Sequence, residues 1–122
     1  MSFYNVLRRF ELLSGLEGKD LSRYSELCKE AAEDIKARLK VSENTLTDGE
    51  KLRLAYTAGA LAFYRYCLYI SVAEPQSFSA GEVSVNMNDK KAEAAKRLFE
   101  EEYRGLSRVL SDSGFYFGRV KA

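Results

Sequence analysis

Histidine is absent from this 122-residue chain. That excludes Ser-His-Asp and Cys-His nucleophilic catalysis, histidine-ligated zinc and the usual proton shuttle at neutral pH. Cysteine is scarce, with only Cys28 and Cys67 present. Each falls within a helical apolar pattern, where Cys packs as a small hydrophobe, so buried free thiols of a cytosolic protein are expected rather than a disulfide. An excess of one charge sign is also missing: the net charge is +1, although 30% of the residues are charged. A protein whose main task is to hold nucleic acid carries a clear basic excess, so that class loses weight. There is no glycine-rich phosphate loop, CxxC pair or nucleophile elbow. The carboxylate run Glu100–Glu102 does not replace them, because consecutive helical residues point about 100° apart and do not converge on one metal or substrate. The expectation is no catalytic residue, no metal and no cofactor. A targeting segment is not expected either, since "MSFYNVLRRFELL" lacks the apolar region and cleavage site of a signal peptide.

What is present is a globular balance, with 46% hydrophobic residues, and a length suited to one domain over residues 1–122. Phe3, Val6, Leu7, Phe10 and Leu13 recur at helical spacing and predict a first helix over about 2–13, broken by "SGLEG". A second helix is predicted over about 21–40. Leu21, Tyr24, Leu27, Cys28, Ala31, Ala32, Ile35 and Leu39 form its apolar stripe, opposite a charged face. Asp34 and Arg38 stand four apart in the favourable order on it. Thr47 and Glu50 have the capping-box spacing, which starts a third helix over about 48–72. Its apolar residues run nearly all the way round, the mark of a helix in the middle of a bundle. The small residues Ala55, Ala58, Gly59 and Ala62 would let a neighbouring backbone come close.

The run Leu54–Ala73 is long enough to raise the question of a membrane span. Arg65 near its centre argues against one, at about 2.5–3.5 kcal/mol for insertion. Arg65 is instead expected to reach water or an acidic partner such as Glu74, or else to point into an interface or lumen. Pro75 ends the third helix. A fourth is predicted over about 90–110, with Glu93–Arg97 and Glu100–Arg104 on its outer side.

Between these helices the period changes. In "SFSAGEVSVNM" the apolar residues Phe78, Ala80, Val83, Val85 and Met87 alternate, which predicts a short β arm over about 77–87. That stretch could fold back around Gly81, pair with the tail, or add to a sheet of another subunit, the alternative being an ordered surface loop. The tail 112–122 places Phe115, Tyr116 and Phe117 between two glycines, with Val120 beyond. Three consecutive aromatics are costly to leave in water and mark a contact site. The fold expected is therefore all-α: a small bundle of about four helices with a β arm and an extended tail.

Four segments together resemble the small helical head–tail connector proteins (adaptor or head-completion proteins) of tailed bacteriophages and prophages. They are "LCKEAAEDIKARL", "LAYTAGALAFYRY", "SFSAGEVSV" and "FYFGRV", in that order. The resemblance implies a structural, non-enzymatic subunit of a homo-oligomeric ring. Such rings sit below the portal at the virion head–tail junction, after assembly in the bacterial cytoplasm. Portal and tail-completion proteins would be its partners, and DNA would pass without sequence-specific binding. Phe78, Gly81, Val83, Val85 and Met87 would contact a neighbouring subunit, and Phe115 to Val120 would form the tail contact. Arg65 lies within the matching segments without an assigned place. The alternative reading is a small cytosolic regulatory module that binds a peptide or apolar ligand in a groove of the third helix.

Overall fold

The computed structural model describes residues 1–73 and 82–111, with the backbone alone at 73 and 82–89. Helix α1 spans Phe3–Ser14. The Ser2 hydroxyl accepts from the Asn5 N–H at 3.4 Å and caps its start. Gly15 closes it in the left-handed conformation at φ 74°, and its N–H donates to the Glu11 carbonyl at 2.8 Å. Val6 and Phe10 are its buried residues.

The second predicted helix is two. Helix α2 covers Lys19–Arg23 and helix α3 covers Ser25–Lys36, with Tyr24 between them at φ −105° and ψ 15°. The apolar stripe survives the break, because Cys28, Ala31, Ala32 and Ile35 are buried and Leu21 and Tyr24 pack beside them. Helix α3 stops short of residue 40 because the chain turns to meet another segment. The Lys40 N–H donates to the Val109 carbonyl and the Ser111 N–H to the Arg38 carbonyl, both at 2.8 Å. These bonds frame an antiparallel bridge between Leu39 and Leu110. They give partners to backbone groups that a helix end would leave open.

A 3₁₀ turn over Glu43–Thr45 leads into helix α4, Asp48–Ala73. The capping box forms as the spacing predicts. The Glu50 N–H donates to Thr47 Oγ1 at 3.1 Å, and the Thr47 N–H donates to Glu50 Oε1 at 3.0 Å. Helix α4 is the centre of the bundle, packed against α1, α3 and helix α5, Glu82–Arg104. Its small residues serve packing within the chain. A Cβ placed on Gly59 would lie 3.0 Å from the Val6 carbonyl oxygen and 2.7 Å from Arg9 Cβ, so glycine lets α1 come this close. Thr57 is fully buried in α4, and its hydroxyl donates back to the Arg53 carbonyl at 2.8 Å.

Helix α5 runs antiparallel to α4. Lys91 acts on Cys67 near one end, while Gly105 meets the Arg53 guanidinium and Arg108 approaches Glu50 at the other. It begins at Glu82 rather than about Lys90 and ends at Arg104 rather than about Leu110. The expected β arm is thus corrected over Val83, Val85 and Met87, which lie on the first turns of α5. Phe78, Ala80 and Gly81 fall outside the described residues. The physical reason is cooperativity. Once a helix exists at Lys90, each residue added to its front gains a hydrogen bond without a new nucleus, whereas an unpaired strand gains none. Past Arg104 the chain makes tight turns that place Leu106, Val109 and Leu110 in the core. The Tyr103 hydroxyl donates to the Ser111 carbonyl and fastens this end. The described residues are therefore an all-helical bundle of five α-helices, without strands.

The Gly59 contact gives the first prediction. Gly59→Ala should destabilise the fold by about 1–3 kcal/mol, the range for overpacking against atoms that cannot move aside. Gly49→Ala, where the nearest atom is 3.9 Å away, should be near neutral. Urea denaturation of both variants checks this, and equal midpoints would refute the account of the α1–α4 approach.

Candidate interaction surface

Among the described residues no group of three His, Cys, Asp or Glu side chains could hold a metal ion. Cys28 and Cys67 are free and buried. Burial pushes the Cys28 thiol up to about 12, and pushes the Cys67 thiol up against the opposing pull of Lys91. Neither thiol is disposed to act as a nucleophile at neutral pH.

Arg65 has a partner other than the one named from sequence. Its Nη2 lies 2.7 Å from Asp34 Oδ2, which ties α4 to α3. Glu74 is outside the described residues. Asp34 thus faces Arg65 across the bundle. Both side chains are partly exposed, so the pair contributes on the order of 0.5–1 kcal/mol.

An open groove of about 540 Å³ lies between the start of α1 and the outer face of α3. Phe3 and Ala32 line it with Glu26, Lys29, Glu30 and Glu33. Lys29 and Glu26 already face each other at 3.5 Å across its rim. Such a mixed, self-paired rim has no single charge with which to select a ligand.

The surface that stands out is the far end of α4. A series of aromatic rings leads to it from the core. Phe10 meets Tyr66 edge-on at 5.7 Å, Tyr66 meets Tyr24 at 4.8 Å, and Tyr24 meets Tyr69 at 5.9 Å. Phe10 is buried, whereas Tyr69 is 45% exposed. Beside Tyr69, Leu68 is 41% exposed and Val72 78% exposed. Leu68 and Val72 are four apart and share a helix face. The cause is a shortage of cover. Helix α1 ends at Ser14, one turn beyond the Phe10 that faces Tyr66, and α3 begins beside Tyr24. Helix α4 continues by one turn, with Val72, past the Tyr24–Tyr69 contact.

Of the sequence-predicted contact residues, Val83, Val85 and Met87 are described by their backbone alone. Because α4 and α5 are antiparallel, the first turns of α5, with Val83, Val85 and Met87, lie at the same end of the bundle as Val72. Phe78 and Gly81 belong to the stretch between the two helices, outside the described residues. Phe115, Tyr116, Phe117 and Val120 are also outside them. They follow Ser111, whose N–H donates to the Arg38 carbonyl. Leu68, Tyr69 and Val72 were hidden in the sequence by an apolar pattern running all round α4. The usable signal was length, since α4 has 26 residues and α1 and α3 have 12 each.

Among the described residues no helix is long and apolar enough to cross a membrane. Compared with known proteins, the chain matches no family model, no curated protein and no solved structure.

The raised thiols predict a pH dependence. A folded thiol held above its unfolded value of about 8.5 keeps its proton while the unfolded chain loses one. For Cys28 stability should therefore fall as pH rises from about 8.5 toward 12, by up to about 1.4 kcal/mol per pH unit, and Cys67 acts in the same direction. Urea midpoints at about pH 7.5 and 9.5 test it. Cys28→Ala should flatten the loss relative to the parent chain, and an unchanged slope would refute the assignment to Cys28.

Proposed function

We propose that this chain is a structural subunit of a phage or prophage head–tail connector, without enzymatic activity. One observation carries the reading. The apolar residues left uncovered by the bundle, Leu68, Tyr69 and Val72, close α4 directly ahead of the stretch containing Ser77–Val85, a segment that resembles the connectors. A contact surface thus adjoins one of the segments that suggested an assembly. On this reading the stretch with Phe78 and Gly81 contacts a neighbour. Val83, Val85 and Met87 support it from the start of α5. The subunit would assemble in the bacterial cytoplasm and end in a ring at the virion head–tail junction, between portal and tail-completion proteins.

The charge agrees with a conduit. A net charge of +1 offers little phosphate neutralisation, so DNA would slide past rather than be held. The Arg65–Asp34 pair gives that guanidinium a carboxylate partner of its own, which lessens its availability to phosphates. The alternative, a regulatory module with an apolar groove along α4, gains less support. Helices α1, α3 and α5 occupy that helix, and the groove beside α3 is rimmed by charge.

The test is assembly. The gene is expected to lie beside portal and capsid genes. DNA-filled heads made from those proteins should bind the purified chain, carry it down on sedimentation and show a ring beneath the portal by electron microscopy. A chain that stays in the supernatant with such heads, or a gene remote from any portal gene, overturns the reading.

A further inference from the structure

The break between α2 and α3 has no cause in its own sequence. Residues 19–36, "KDLSRYSELCKEAAEDIK", contain neither glycine nor proline, the residues whose backbones most often interrupt a helix. Leu21, Tyr24, Cys28, Ala31 and Ile35 stay at helical spacing across it. Tyr24 itself stands at φ −105° and ψ 15°, beside the helical region rather than far from it. No side-chain hydrogen bond caps the start of α3 at Tyr24, so nothing in the way of a cap fixes the helix start there. Helix α2 is lightly held. None of its five residues is buried, and the chain reaches it through Gly15 and Gly18, both at positive φ.

What holds the break is the Tyr24 ring. It meets Tyr66 at 4.8 Å, Tyr69 at 5.9 Å and Phe10 at 6.4 Å, all on other helices. Turning ψ at Tyr24 from 15° to the helical value of about −42° would rotate its Cα–Cβ bond against α3 and carry the ring out of this cluster. The same turn would release the Leu21 carbonyl, which now accepts from the Tyr24 N–H at 3.1 Å. The N–H groups of Ser25, Glu26 and Leu27 would then meet the carbonyls of Leu21, Ser22 and Arg23, four residues back. The bent form has the ring contacts, and the straight form has the hydrogen bonds.

We infer that residues 19–36 are one helix held bent by the Tyr24 ring, and that the bend sets how much of the apolar end of α4 is uncovered. In the bent form Tyr24 lies against Tyr66 and Tyr69. In the straight form those two rings join the surface that Leu68 and Val72 already expose. The coupling runs both ways. Whatever draws Tyr69 off Tyr24 favours the straight helix, and straightening releases Tyr69. The inference concerns a motion within one chain and holds with or without the connector reading.

Amide exchange in the full chain, followed by NMR, tests it. Tyr69→Ala removes one ring partner from α4 and leaves the helix preference of residue 24 untouched. Tyr69 is 45% exposed, so this variant is expected to fold. Exchange at Ser25, Glu26 and Leu27 should slow about threefold in Tyr69→Ala and about tenfold in Tyr24→Ala, which removes all three ring contacts. Tyr24→Phe, which keeps the ring, should exchange like the parent. A general loss of stability speeds exchange, so slowing at these amides reports new hydrogen bonds. Unchanged or faster exchange there in Tyr69→Ala, or slowing of the same size in Tyr24→Phe, would each overturn the inference. If Tyr24→Ala does not fold, Tyr69→Ala and Tyr24→Phe decide the matter alone. No portal or filled head enters the measurement, so its failure and that of the connector reading are told apart.

Discussion

The structure depends on one constraint: a long helix that is apolar on every side must be covered on every side. Helix α4 meets it by letting α1 come close enough for the Val6 carbonyl oxygen to approach the Gly59 backbone. Ala55, Ala58 and Ala62 are buried with little side-chain bulk to hold neighbours away. Small residues in a central helix give up apolar area per residue but permit closer packing, and interiors reward density. The larger side chains come mostly from the surrounding helices, with Phe10 from α1, Ile35 from α3 and Phe99 from α5. A central helix of large residues could not accept three neighbours at this range.

The same constraint explains what is left open. Helix α4 has 26 residues, about 39 Å at the usual rise, and α1 and α3 each cover about 18 Å. Two short helices laid beside a long one leave part of its length bare. At the first end the gap is filled by the turns after α5, which put Leu106, Val109 and Leu110 into the core and bridge to Leu39. At the last end Leu68, Tyr69 and Val72 remain exposed. The aromatic series from Phe10 to Tyr69 runs out to solvent there. Scattered exposed hydrophobics are ordinary on a protein surface, whereas these three cluster at a helix end continuous with the core.

Much of the fold was legible because helical periodicity is written over many residues. The boundaries of α1 and α4 and the Thr47–Glu50 cap follow from spacing and end chemistry, which are local. What failed were predictions in which a local pattern competed with something distant. The stripe from Leu21 to Leu39 is continuous, yet the helix breaks at Tyr24, whose ring packs against Phe10, Tyr66 and Tyr69. It ends at Lys36 because residues 38–40 pair with 109–111, a pairing no window of sequence contains. The alternation around Val83 and Val85 is a real period-2 signal, but a strand needs an edge to join, and within one chain the adjacent helix was the available template. Arg65 was singled out correctly as an unusual charge. Its partner Asp34 lies on another helix and was invisible to spacing along α4.

The open end of α4 also has to be weighed against solubility. Net charge far from zero keeps copies of a chain apart, and this chain carries +1. General repulsion therefore does little to oppose encounter, and shape and chemistry decide which encounters last. Its charged residues are interspersed and of both signs, so a mismatched approach buries carboxylates or ammonium groups without partners and costs more than it gains. An approach that buries only Leu68, Tyr69 and Val72 avoids that cost. A small apolar surface set among mixed charges thus discriminates by what it excludes.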